Sequence, residues 1–165
     1  MKTLNTRTTS PIAVSAFVAA AMLAIPGCGD GRLSCQPVRG ELFINGQPAY
    51  GAKVYFFPVD APKDQRANCP IGQVDEAGQF SLTTYNEGDG APTGEYIVCF
   101  EWPNKHALKG TFEGSDRLEG KFYSKAESTH RVTVNAGVNE PPRFNLTSTN
   151  TKPKRDKDAG PLGGN

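Results

Sequence analysis

Gly72–Trp102, GQVDEAGQFSLTTYNEGDGAPTGEYIVCFEW, is the stretch that decides the fold. Phe80 and Leu82 alternate with Gln79, Ser81 and Thr83. Further on, Tyr96, Val98, Phe100 and Trp102 alternate with Ile97, Cys99 and Glu101. A period of two is the signature of strands with one face on a core. Between the strands, Asp75-Glu76-Ala77-Gly78 reads as a tight turn in which Asp75 caps backbone N–H groups and Gly78 takes a left-handed conformation. Tyr85–Gly94 is too glycine-rich for a helix and lacks the Lys-Ser/Thr ending of a phosphate loop. It reads as a turn organised by Asp89.

The flanks repeat the pattern. Val38, Gly40, Leu42 and Ile44 share one parity, and Arg39, Glu41 and Phe43 the other. Asn45-Gly46 then signals a type I′ hairpin. Ala52, Val54 and Phe56 face inward on the next run, which Pro58 ends. Val59–Asn68 is a polar loop and Ile71–Val74 a short strand. Asn104–Thr129 breaks the rhythm as a long excursion anchored by Leu108, Phe112, Leu118, Phe122 and Tyr123. Val132 and Val134, then Phe144 and Leu146, mark two closing strands. The sum is an all-β, seven-stranded Greek-key sandwich over residues 36–147, with residues 148–165 a disordered polar tail.

Residues 1–27 form an N-terminal signal helix rather than part of the fold. Lys2 and Arg7 precede the apolar run Pro11–Ile25, which is shorter than the ~20 residues a membrane span needs. Ile25-Pro26-Gly27-Cys28 resembles a bacterial lipobox. That resemblance implies cleavage before Cys28 and acylation of its thiol and new amine, palmitate being one such chain, with residues 28–35 as the lipidated tether. An uncleaved anchor and a soluble secreted form are the alternatives. Gly29 after the cysteine, by likeness to known sorting signals, implies outer-membrane delivery in a bacterial cell envelope, facing periplasm or exterior. Loss of the leader removes two of the 18 basic residues and none of the 17 acids. The near-neutral remainder offers no basic face for nucleic acid.

Such a compartment permits disulfides. Cys35, Cys69 and Cys99 allow one bridge, and Cys69–Cys99 is the preferred pair, with Cys35 the other candidate partner. No cysteine pair has zinc-ligand spacing, His106 and His130 lie far apart, and the acidic turns hold too few carboxylates for calcium. No cofactor or metal is expected.

Val38-x-Gly40, Asn45-Gly46-Gln47-Pro48, Gly51-Ala52-x-Val54, Asp75-x-x-Gly78-x-Phe80-x-Leu82 and Gly88-Asp89-Gly90-Ala91-Pro92-x-Gly94-Glu95-Tyr96 together resemble the carboxypeptidase regulatory-like (transthyretin-like, prealbumin-type) domain, as found in small planctomycete lipoproteins. Asp116-Arg117-Leu118-x-Gly120-x-Phe122-Tyr123 continues the likeness. The resemblance implies an accessory β-sandwich without catalysis.

The expected function is therefore a membrane-anchored structural or binding module, with an envelope protein or polysaccharide as partner. If the strands at 52–57 and 95–102 are neighbours, Tyr55, Phe57, Ile97 and Cys99 all point off the core. They then form a binding surface, unless the 104–129 excursion covers them. A carbohydrate-binding module would draw its stacking platforms from Tyr50, Tyr85, Trp102 and Tyr123. A transthyretin-like hydrolase would need His106 and His130 to converge with arginines, and the chain lacks the Tyr-Arg-Gly-Ser ending of those enzymes.

Overall fold

The computed structural model describes residues 30–105 and 109–151. The leader, Cys28, His106, Leu108 and residues 152–165 lie outside the described residues. The strands are β1 (Cys35–Gln36), β2 (Arg39–Ile44), β3 (Gln47–Pro48), β4 (Lys53–Pro58), β5 (Ile71–Gln73), β6 (Gln79–Ser81), β7 (Ala91–Pro92), β8 (Gly94–Glu101), β9 (Pro103–Lys105), β10 (Phe112–Asp116), β11 (Arg131–Val134) and β12 (Phe144–Leu146). Among the described residues the only helical element is a 3₁₀ turn at Gln65–Ala67.

The fold is an all-β sandwich. One sheet runs β11-β8-β4-β5. In the other, β2 has β12 on one edge, in parallel, and the antiparallel β3 and β6 as its other partners. The connections β3–β4, β5–β6, β6–β8 and β11–β12 all cross between the sheets, the connectivity of a Greek key. All seven expected strands are present as β2, β4, β5, β6, β8, β11 and β12.

Inward residues of the two sheets meet as expected from parity. Leu42, Ile44, Phe80, Phe144 and Leu146 come from one side, and Val54, Phe56, Val98, Phe100 and Val134 from the other. Phe56 and Phe100 are fully buried, each contributing about 1.5–3 kcal/mol. Asn45 and Gly46 both have positive φ, 52° and 76°, so β2–β3 is the hairpin the sequence announces.

Three boundaries differ from expectation. Pro103 does not simply stop the strand before it, because β8 ends at Glu101 and Pro103 opens β9, where its missing N–H costs no ladder bond. β9 pairs with β10 inside the 104–129 excursion, with a register shift between Phe112 and Asp116. The tail begins later than residue 148. Ser148 is buried, and its N–H and C=O both bond the Asn45 side chain, at 3.1 and 2.7 Å. The Arg117 guanidinium holds the Thr151 carbonyl. At the other end, Leu33 and β1 are already docked, so the packed domain starts before Gln36.

Gly90 has no room for a side chain. Its φ is +88°, and a Cβ there would lie 1.8 Å from the Gln36 carbonyl oxygen. Gly88 also has positive φ (+71°) but opens onto empty space. Gly90→Ala should therefore lower stability by about 3 kcal/mol or more. Gly88→Ala should cost only the left-handed penalty of about 1–2 kcal/mol. Urea unfolding of the two variants measures the difference.

Candidate functional site

The outer face of the β2-centred sheet carries a polar trough of about 580 Å³. Strand register builds it. Arg39 stands opposite Ser81, and Glu41 opposite Gln79, all on the parity that points away from the core. Gln73 and Asp75 come from the end of β5 and the turn after it, and Glu140, Pro141 and Arg143 from the approach to β12. Arg143 is fixed twice, by a 2.5 Å contact to Glu41 and by a guanidinium 4.5 Å from the Phe43 ring centroid. Arg143 is half exposed, so its ion pair orients the guanidinium and adds little stability, about 0–1 kcal/mol. A second depression, lined by Ile71, Thr83, Thr84 and Glu87, shares Gln73 and Ser81 with the trough. The sequence placed Arg39, Glu41, Gln79 and Ser81 on the off-core parity. It carried no signal that β2 and β6 are neighbours, which is what gathers them.

The stripe of Tyr55, Phe57 and Ile97 is assembled as the parity argument requires. Tyr55 pairs with Cys99 and Phe57 with Ile97 across β4 and β8. It is roofed. Tyr123 stands edge-on at 5.1 Å from Tyr55 and 6.3 Å from Phe57, and Lys125 lies over the Phe57 ring at 4.9 Å. The roof is tied to β8 by Phe100 N–H donating to the Phe122 carbonyl and by Ser128 Oγ donating to the Val98 carbonyl at 2.6 Å. Tyr55 is left 8% exposed, with its hydroxyl donating to Glu101 at 2.6 Å, while Phe57 and Ile97 stay half-buried. Burial, then the hydrogen bond to Glu101, drive the Tyr55 hydroxyl pKa far above its ordinary value.

The expected Cys69–Cys99 disulfide is not formed; Cys35, Cys69 and Cys99 are all free thiols. β4 runs between them. Cys99 faces Tyr55 from β8, whereas Pro70, next to Cys69, bonds Phe56 from the β5 side. Strands two places apart in a sheet lie roughly 10 Å from one another, against the roughly 7 Å between Cα atoms that a disulfide can span. Burial first, then the neighbouring Cys99, pushes the Cys69 thiol up to about 11. Burial also raises Cys99.

Two of the four expected stacking platforms are covered. Trp102 is 7% exposed, donates its indole N–H to the Tyr50 carbonyl at 2.9 Å, and has the Arg117 guanidinium 3.6 Å from its ring centroid. The guanidiniums of Arg32 and Arg66 lie 5.3 and 5.5 Å from the Tyr85 ring centroid. Tyr50 and Tyr123 remain exposed, on different parts of the surface. His130 packs edge-on against Phe100 and Phe144, and burial lowers its pKa. His106, its expected catalytic companion, lies outside the described residues.

Three of the aspartates serve as turn caps. Asp75 accepts from the N–H groups of Ala77 and Gln79, Asp89 from those of Thr84, Tyr85 and Asn86, and Asp116 from those of Trp102, Leu118 and Gly120. Asp64 binds Arg66 through both carboxylate oxygens and accepts the Tyr85 hydroxyl at 2.8 Å. Arg66 foremost, then Tyr85, holds the Asp64 carboxyl down at about 2. Among the described residues, no group of three or more His, Cys, Asp or Glu side chains could hold a metal ion. No described helix is long and apolar enough to cross a membrane.

Fold and trough together define a small β-sandwich protein with a hydrogen-bonding outer face. No family model matches the chain, and no curated protein matches it. Among solved structures it is similar to a protein of Pseudomonas aeruginosa provisionally described as carbohydrate-binding. The two share 17% identity at a TM-score of 0.38, over 70% of this chain and 90% of that one. At that degree of likeness nothing about function transfers.

Two outcomes follow from the thiols and from Asp64. Peptide maps made without reductant should return Cys69 and Cys99 unbridged, and iodoacetamide at pH 8 should modify both far more slowly in the folded than in the urea-unfolded protein. A depressed folded-state pKa stabilises fully above the ordinary carboxylate value of 3.8 and is lost as pH falls through about 2. The protection of the Arg66 amide, its exchange by NMR relative to the intrinsic rate at each pH, should accordingly hold down to about pH 4 and fall as pH approaches 2.

Proposed function

We propose that the chain is a lipid-anchored bacterial envelope protein whose β-sandwich, of the carboxypeptidase regulatory-like kind, is a binding module that catalyses no reaction. Cys28 carries the acyl chains, and two or three of them, at about 0.8 kcal/mol per buried CH₂, hold the protein on a membrane essentially permanently. The trough is the observation that carries the binding role. It presents Arg39, Gln73, Gln79 and Ser81 side by side, with Arg143 held in a fixed orientation by Glu41 and Phe43. Amide, hydroxyl and guanidinium donors spread along a shallow face suit a polyhydroxylated chain that lies across it, which makes an envelope polysaccharide the preferred partner. The use of Asp75, Asp89 and Asp116 as caps supports a non-catalytic role, since a carboxylate accepting two or three N–H bonds is a poor proton carrier.

Calorimetry of the mature protein against purified envelope polysaccharide tests this reading. Arg39→Ala and Gln79→Ala should each weaken binding about five- to tenfold, the value of one lost hydrogen bond, and leave the melting temperature unchanged because both side chains are exposed. Equal binding by the double variant and the native protein would remove the trough from the function.

A further inference from the structure

We infer that the acylated protein stands with one end of the sandwich against the lipid surface, the end that carries Val59 and Val138; this rests on the anchoring of Cys28 proposed above. The chain is pinned to the domain at Leu33 and again at β1. Leu33 N–H donates to the Tyr85 hydroxyl at 3.0 Å, and Cys35–Gln36 pairs with Ala91–Pro92. Covalent geometry then limits the anchor. The five residue steps from Cys28 to Leu33 reach at most about 18 Å. The eight residues of β8 alone extend about 27 Å along the sandwich, so the far end is beyond that reach.

The near end is defined by contacts around β1. Gly137 N–H donates to the Gln36 side chain at 2.8 Å, which brings the 135–139 turn there. Val59 N–H donates to the Glu95 carbonyl at 2.9 Å, where β4 ends and β8 begins. Val138, at 68%, and Val59, at 47%, are the most exposed large apolar side chains among the described residues, and both lie at this end. Apolar side chains on the tethered end of a lipid-anchored domain have a ready occupant, the headgroup–acyl boundary of the bilayer. The opposite end, at the Asn45-Gly46 turn, presents the polar Gln47 and, less exposed than either valine at 39%, Tyr50.

The test uses full-length mature protein purified from membranes, with the acyl mass on Cys28 confirmed, in phosphatidylethanolamine–phosphatidylglycerol vesicles containing doxyl-labelled phospholipid. Tryptophan is introduced by Val59→Trp, Val138→Trp or Gln47→Trp, and the emission of the buried Trp102 is subtracted. Quenching at positions 59 and 138 should be several times that at 47. Inserting a ten-residue Gly-Ser linker between Asp30 and Gly31, which lengthens the tether past that limit, should narrow that difference. Equal quenching at both ends, or none at 59 and 138 in acylated protein, overturns the orientation while leaving the anchor intact. A difference unchanged by the inserted linker overturns the tether as its cause. A mature chain without acyl mass overturns the anchor, and the orientation with it.

Discussion

The structure depends on one pairing, β4 against β8. Six consecutive residue pairs, from Lys53 with Glu101 to Pro58 with Tyr96, fix which side chains are inside. Slipping β4 by one residue against β8 would send Val54 and Phe56 to the outer face and bring Tyr55 and Phe57 inward. That slip would also break the hydrogen bond from the Tyr55 hydroxyl to Glu101 while taking the hydroxyl away from water, and it would expose Phe56. Hydrophobic burial and hydrogen bonding therefore select the same register.

Once that register is set, the turns between sheets must hold the second sheet over the first. Asp75, Asp89 and Asp116 do so by a shared device, a carboxylate that collects the N–H groups of a reversing chain. Gly90 shows how tight the result is, since Gln36 packs its backbone where a side chain would be. These acids are spent on architecture. What the outer faces can do is left to the residues of off-core parity, and the two faces differ in whether they are covered.

Much of this was legible in the sequence. The alternation in β2, β4, β6 and β8 named the core, and Asn45-Gly46, Asp75 and Asp89 named their turns, because each signal is local to a few residues. The stripe of Tyr55, Phe57 and Ile97 was also legible as a shared face. Its cover by the 104–129 excursion was legible as an alternative, but the residues that make it were not, because Tyr123 and Lys125 reach the stripe through hydrogen bonds of the 122–130 segment to β8, which have no periodicity of their own. The disulfide failed for a related reason. Parity placed Cys99 off the core and said nothing of Cys69, and only the strand order reveals β4 between them. The docking of Ser148 and Leu33 was missed because polar terminal segments give no burial signal when their bonds go to Asn45 and Tyr85.

The contrast between the faces bears on function. On the β4–β8 face, aromatic rings are exposed in principle but spent in packing, with Tyr123 as the outermost layer. On the β2–β6 face the described side chains that line the trough are mostly polar, so their exposure costs little in hydrophobic free energy. A covered face cannot admit a partner without first unfastening Phe122 and Ser128 from β8. An open polar face can bind at once and release as readily, since each hydrogen bond gained replaces one to water. Such a surface suits weak, repeated contacts along a polymer, and a membrane anchor would make that weakness tolerable by holding the module close to many equivalent sites.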